Sequence, residues 1–325
     1  MPDTHNSSKE MLKGKKQMFK RKRAIKYGIV DVFSDTPFCG NPAGIVFNAD
    51  SLNNDEMQKI AKEINVANTA FLLQPENGGN LKIRYFCPDS EINMCGHSTI
   101  GSIFARSENN QKDVSKNTNP TIKIETKVGT LTAKIKRRNG NIARVGVTLP
   151  KPEFYAAIIS KKRLFNALNI DQSAVVGAYP IEIVNSGLYF MEVGIKDREN
   201  LLKIKPDFRK LQKITEEMNI DSIQVFTRDT FEKSSTVLSR TFFPKYGVNE
   251  DPVCGTGNAA IASYLIHNNI EKSNKEKIKF IGEQGHSVSR PGKVYMEVTC
   301  KNDKVEKVLI SGTAVLVCEG NIYLN

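Results

Sequence analysis

With 325 residues, 25% charged and 39% hydrophobic, the chain is long for a single core and ordinary in composition for a globular protein, so two domains are expected. No apolar run approaches bilayer-spanning length and no hydrophobic stretch follows the basic start, which argues against a membrane span or secretory signal and makes the cytoplasm the expected address. The net charge of +12 is uneven: residues 1–26 hold nine Lys/Arg against Asp3 and Glu10, a balance of +7, which leaves +5 for the rest.

The arm 1–26 is dense in positive charge and poor in apolar side chains, so it is expected to stay disordered, with at most weak contact to nucleic acid or acidic lipid. Residues 27–33 and 43–47 read as strands around a Pro/Gly/Asn turn. Residues 54–64 read as an amphipathic helix, with Met57, Ile60, Ala61 and Ile64 on one face. Strands follow at 69–73 and 81–86, then a helix to about Arg106 and a polar loop over 107–119. Alternating apolar and polar residues predict half-exposed strands at 121–126, 131–136 and 142–148. The second half repeats the mixture, with strands around 181–194, helices near Asp197 and over 208–218, and strands at 223–227 and 237–243. A second small-residue helix precedes strands at 294–299, 307–310 and 314–318. The seam is expected between Pro150 and Ile181, giving domains 27–150 and 151–325, with the last strand returning to the first domain.

Two segments repeat across these halves. Arg84-Tyr85-Phe86-Cys87-Pro88 leads through acidic residues to Cys95-Gly96-His97-Ser98, and Arg240-Thr241-Phe242-Phe243-Pro244 leads through Glu250 and Asp251 to Cys254-Gly255-Thr256-Gly257. After each Cys-Gly an apolar spacing (Ile100, Ile103, Phe104; Ile261, Tyr264, Leu265) marks a helix, placing each cysteine at a helix N-terminus. Unpaired amides and the helix dipole there favour thiolate over thiol, so both are expected to ionise closer to working pH. The small neighbours Gly96, Ser98, Gly255, Thr256 and Gly257 would let a substrate carboxylate approach the same amides. The other four cysteines, Cys39, Cys87, Cys300 and Cys318, read as turn or packing residues. Without C-x-x-C spacing or clustered histidines, no metal site is expected.

From Tyr27 to the C-terminus the chain resembles the PhzF-like family, relatives of diaminopimelate epimerase and proline racemase. The resemblance is carried by Val30-Asp31-Val32-Phe33 with Gly40-Asn41-Pro42-Ala43-Gly44, and by Met57-Gln58-Lys59-Ile60-Ala61-Lys62-Glu63. Cys95-Gly96-His97-Ser98-Thr99, Glu250-Asp251-Pro252-Val253, and Glu283-Gln284-Gly285 ahead of Arg290-Pro291-Gly292 complete it. It implies an α+β fold of two similar domains, each a mostly antiparallel sheet rolled as a barrel around a central helix. It also implies an active site in the cleft between them, no cofactor and a homodimeric assembly. One departure is at Ala67-Asn68-Thr69, where PhzF-type isomerases carry a catalytic glutamate that Asn68 cannot replace as a proton shuttle. The other is Cys254, where the PhzF pattern has threonine; Cys-Gly at both helices is the pattern of the epimerases and racemases, whose two cysteines are the bases.

The expected activity is therefore amino-acid racemisation or epimerisation by proton transfer between Cys95 and Cys254, with a free amino acid or cyclic imino acid as the small-molecule substrate. His97 would bind a substrate oxygen or tune Cys95; Asn41, Asn68, Asn185 and Asp251 would hold the carboxylate or ammonium group. The rivals are a PhzF-like isomerase or hydroxy-amino-acid dehydratase worked by His97, Asp251 and one cysteine, and an inactive scaffold that binds acidic partners through its basic arm.

Overall fold

The computed structural model describes residues 23–108, 120–272, 275–302 and 304–324. The first half contains β1 (Arg23–Val32), β2 (Asn41–Val46), α1 (Asn54–Ile64), β3 (Asn68–Leu73), β4 (Leu81–Phe86), β5 (Glu91–Ile92), α2 (Gly96–Glu108), β6 (Thr121–Thr126), β7 (Gly129–Arg138) and β8 (Asn141–Leu149). There follow β9 (Glu153–Ala156), α3 (Lys161–Leu168), β10 (Glu182–Asn185), β11 (Tyr189–Gly194), α4 (Arg198–Lys203), α5 (Phe208–Glu217), β12 (Ser222–Thr227), β13 (Val237–Phe243) and β14 (Val248–Asp251). The chain closes with α6 (Gly255–His267), β15 (Lys277–Gln284), β16 (Gly292–Lys301), β17 (Lys304–Gly312) and β18 (Ala314–Leu324). It is a mixed α+β fold in which all the strands join one extended sheet.

The ladder of that sheet runs through one series of pairings twice. β2 lies parallel to β3, β3 antiparallel to β4, β4 parallel to β6, and β6, β7 and β8 are antiparallel neighbours. β11 lies parallel to β12, β12 antiparallel to β13, β13 parallel to β15, and β15, β16 and β17 are antiparallel neighbours. β8 joins β17 antiparallel, and β18 runs along β1 over nearly its full length. Each R-x-F segment forms the same clamp: Arg84 grips Glu91 across β4–β5 at 2.8 and 2.9 Å, and Arg240 grips Glu250 across β13–β14 at 2.9 and 2.8 Å. These two-point contacts hold the short hairpins that feed the cysteine helices.

The two cysteine helices are apolar and small-sided nearly all round, so they belong inside. α2 packs against β1, β2, β3, β8 and β18, and α6 against β10, β11, β16 and β17. One continuous apolar core contains both helices and crosses from half to half. The outer helices bury single faces. α1 starts at an Asn53/Glu56 capping box and seats Met57, Ile60 and Ala61 on the sheet, while α3, α4 and α5 cover the second half around Leu164, Leu201 and Leu211.

Five elements went unread in the sequence: the short β5 and β14, and β9, α3 and β15, the last because Gly282 and two polar residues end its alternation. The basic arm is shorter than expected. Arg23–Lys26 open β1, where Arg23 pairs with Glu56 and donates to the Ser51 carbonyl at 2.8 Å. The rest of the arm and most of the 107–119 loop lie outside the described residues, although Ser107 and Glu108 finish α2. No helix among the described residues is long and apolar enough to cross a membrane.

Candidate active site

Both cysteines cap their helices. The Cys95 carbonyl accepts from the Thr99 N–H at 3.1 Å and the Cys254 carbonyl from the Asn258 N–H at 3.0 Å. Side chains four residues on repeat the contact, Thr99 Oγ1 at 2.7 Å and Asn258 Nδ2 at 2.9 Å. The Gly257 N–H donates to the Cys254 sulfur at 3.3 Å, so this amide serves the thiol and is not spare for a substrate carboxylate as the sequence suggested.

The two helix starts lie against one methyl group. A Cβ at Gly96 would lie 3.3 Å from Ile310 Cδ1, and a Cβ at Gly255 would lie 2.8 Å from the same atom. Ile310 on β17 thus touches the first residue of each helix, and only glycine fits there at Gly255 without displacing it. Phe33 completes the wedge: its ring would meet a Gly255 Cβ at 2.9 Å. Its backbone is left-handed (φ 69°), held by Phe33 N–H to Thr313 O and Lys293 N–H to Phe33 O, both 2.8 Å. Such a conformation is costly for a bulky residue and persists only where the surroundings enforce it.

Asn41 bridges the halves, its amide donating to Asp251 Oδ1 at 2.6 Å and to the Val253 carbonyl at 2.9 Å. The loop that delivers it is latched by Arg290, which pairs with buried Asp31 at 2.5 Å and donates to the Gly40 carbonyl at 3.0 Å. Gly40 has φ +67°, and a Cβ there would stand 2.2 Å from Val32 O. His97 is buried, with Nδ1 3.4 Å from the Cys95 sulfur. Thr256 Oγ1 is 3.4 Å from the Cys254 sulfur. The Ser98 hydroxyl favours the Cys95 thiolate but makes no full hydrogen bond, and like Asn41 Oδ1 it is buried and unpartnered.

Electrostatics reverse one expectation. Burial pushes the Cys95 thiol from 9.0 up to about 11, against the pull of the Ser98 hydroxyl and the first-turn amides and with a further upward push from Asp251. Burial and then the Asp251 carboxylate push Cys254 well above its ordinary value. Desolvation beats the helix N-terminus, and both groups rest as thiols. Burial also raises the Asp251 carboxyl, although His97 and Asn41 oppose it, and lowers His97, so its imidazole is neutral.

A pH effect on stability follows. An unfolded thiol ionises near 9.0 and the folded Cys95 thiol near 11, so its stabilising effect is whole below pH 9 and is lost as pH rises toward 11. Its full size is about 2–3 kcal/mol. The thermal midpoint is expected to fall across that window, and a Cys95→Ala variant should show a shallower fall in the same scan. Equal slopes would show that Cys95 does not carry the effect.

Of the other residues singled out, Asn68 accepts a 3.4 Å hydrogen bond from the Cys87 thiol. Cys87, expected only to pack, is itself raised to about 11 by burial and then by Cys95, which places it within the field of the site. Asn185 is a turn residue: it donates to Glu153 at 3.1 Å and accepts from the Gly187 N–H at 3.0 Å. Its neighbour Ser186 makes the contact to the helix start, donating to the Thr256 carbonyl at 2.8 Å. Gln284 was missed as a site residue. Its Oε1 accepts from the Cys254 N–H at 3.1 Å and from Asn258 Nδ2 at 2.9 Å, and its Nε2 donates to the Asp251 carbonyl at 2.8 Å. The only signal was its place ahead of Gly285.

The fold and site define a mixed α+β protein in which one carboxyl group, Asp251, acts on two helix-capping thiols and a neutral imidazole. Residues 30–320 match the family model described as phenazine biosynthesis-like protein, and the chain belongs to that family. It is 33% identical over 299 residues to an uncharacterized isomerase of Clostridium acetobutylicum, covering 91% of this chain and 97% of that one. It is 30% identical to trans-2,3-dihydro-3-hydroxyanthranilate isomerase of Pseudomonas fluorescens, covering 92% and 99%. A PhzF-family phenazine biosynthesis protein of Bacillus anthracis superposes with TM-score 0.86 at 28% identity, over 93% of this chain and 100% of that one. The fold alone is shared with a hydroxyproline epimerase of Agrobacterium vitis, with TM-score 0.64 at 13% identity over 94% and 93%.

Proposed function

We propose that this protein is a cofactor-independent isomerase that inverts the α carbon of an amino acid, with Cys95 and Cys254 as the two acid–base groups. The observation that carries this reading is the pair of helix-capping cysteines whose next residues, Gly96 and Gly255, both lie against the same Ile310 methyl. In the reaction one sulfur, as thiolate, takes the α proton from one face, and the other, as thiol, gives a proton to the opposite face. Amides of the first turns, at Gly96, Gly255 and Thr256, stabilise the substrate carboxylate as it gains enediolate character, while those of His97 and Ser98 act on the Cys95 sulfur. Asp251, oriented by Asn41, takes the ammonium group, and the incoming positive charge offsets the cost of ionising a buried thiol. The repeated ladder supports domains 27–150 and 151–325, each a sheet rolled as a barrel around α2 or α6. The two thiols are nearly buried, 8% and 5% exposed, so substrate entry requires this seam to part.

A second reading is a proton-shifting isomerase of the PhzF kind, or a dehydratase, with His97 and Asp251 as the working groups. It is favoured by the electrostatics of the site, because burial raises both thiols and the Asp251 carboxyl and lowers His97, on which that carboxyl acts. A panel of L- and D-amino acids in deuterated buffer separates the two. Deuterium at the α carbon with loss of optical purity is the expected result. An olefin product, a shifted double bond, or no exchange with any amino acid sinks the racemase reading.

A further inference from the structure

Behind the Cys254 helix lies a line of buried polar side chains that the first half lacks. Glu192, Gln224 and Thr241 stand side by side across β11, β12 and β13. All three are fully buried. Thr241 follows the clamp arginine Arg240 as Tyr85 follows Arg84, so the matching line across β2, β3 and β4 is Ile45, Ala70 and Tyr85. The fold itself therefore accepts apolar side chains at the first two positions. A carboxyl group in that place is costly unless it performs a task, and Glu192 Oε2 has no hydrogen-bond partner.

Contacts run from this carboxyl to the candidate active site. With its amide nitrogen toward the acceptors, Gln224 donates to Glu192 Oε1 at 3.1 Å and to the Gly257 carbonyl at 3.0 Å, and accepts from Thr241 Oγ1 at 2.9 Å. Thr241 Oγ1 in turn accepts from Gln284 Nε2 at 3.2 Å. Gln284 then holds the Cys254 N–H and the Asp251 carbonyl at 3.1 and 2.8 Å. Gly257 lies against the Gln224 amide, where a Cβ would come within 2.9 Å of it. The Gly257 N–H is the donor to the Cys254 sulfur.

We propose that Glu192 is a positioning residue for Cys254: through Gln224 it fixes the Gly257 turn, and through Thr241 and Gln284 it fixes the backbone of Asp251 and Cys254. The device acts on one thiol only, because Ile45 and Ala70 leave Cys95 without a counterpart. The inference rests on the active-site reading only in taking Cys254 as a working residue, and its test needs no substrate, so the two can fail separately. The titratable groups around the line are Tyr264 of α6, with Glu182 and Tyr179 beyond it; those around Cys254 are Asp251, with His97 and Glu250 beyond it.

The test is alkylation of the full-length protein with iodoacetamide from pH 7 to 10, with Cys95 and Cys254 followed separately by peptide mass. The variant Glu192→Ile with Gln224→Ala copies the first half's own apolar pair. Alkylation of Cys254 is expected to slow about tenfold at pH 8, one pH unit in its profile, while Cys95 keeps its rate. Glu192→Gln, which retains the contact to Gln224, should restore the Cys254 profile. An unchanged or faster Cys254, or an equal change at Cys95, overturns the assignment. If the double variant does not fold by circular dichroism, Glu192→Gln against Glu192→Ile decides: equal Cys254 profiles overturn it and a slowed isoleucine variant supports it.

Discussion

Replacing either Cys95 or Cys254 by serine is expected to lower racemisation of the substrate found in the amino-acid panel by about 10³-fold or more, because a hydroxyl at either place cannot supply an acid–base group near working pH. Each sulfur serves one face of the carbon, so neither variant is rescued by the thiol that remains. Chiral chromatography of the product is the measurement, with circular dichroism showing that the variants fold. Serine nearly matches the shape of cysteine, so the N-cap position of both residues should survive. The opposite pattern, with near-normal turnover in both serine variants and loss in Asp251→Asn, would transfer the chemistry to the carboxyl–imidazole pair. Asp251 sits between these outcomes because it raises both thiols and is itself held by Asn41.

The largest loss of stability is expected at Arg240. Its guanidinium and the Glu250 carboxylate are 7% and 9% exposed, and Arg240 also donates to the carbonyls of Leu201 and Ile204 at 3.0 and 2.8 Å, closing the end of α4. Arg240→Met leaves the buried Glu250 carboxylate with the Ser287 hydroxyl as its remaining donor and takes the guanidinium donors from the Leu201 and Ile204 carbonyls, a loss of about 3–5 kcal/mol. The matching pair in the first half, Arg84 and Glu91, is 21% and 17% exposed, and Lys127 reaches the same carboxylate at 2.8 Å. Arg84→Met should therefore cost about 1–2 kcal/mol, since water and Lys127 take over part of the partnership. Urea denaturation of the two variants tests the ranking, and equal losses would contradict it. The comparison is internal: the motif and the two-point geometry are the same, while the burial and the additional partners differ.

Much of the fold was legible because its signals are local. α1 and the strands β4, β6 and β13 lie where alternation and helical spacing put them, and their apolar faces are buried. The repeat R-x-F-x-P to Cys-Gly was visible as text, and it forms the same Arg–Glu clamp and helix cap in both halves. What stayed hidden depended on contacts between residues far apart in the chain. Gln284 is a strand-end residue by pattern, and only the pairing of β13 with β15 brings it under Cys254. Asn185 and Ser186 are neighbours in sequence, yet the turn points one at Glu153 and the other at Thr256.

The chain by itself determined the two helix-capping cysteines, their small-residue surroundings and the repeat that relates them, because backbone periodicity and capping act over a few residues. Only the tertiary structure decided that the two helix starts lie against the same Ile310 methyl, and that Glu192, Gln224 and Thr241 line up behind one of them. It also decided the ionisation of the site. A helix N-terminus favours a thiolate over a few ångströms, but desolvation depends on everything packed around the sulfur, and here the surrounding core and Asp251 outweigh the local amides.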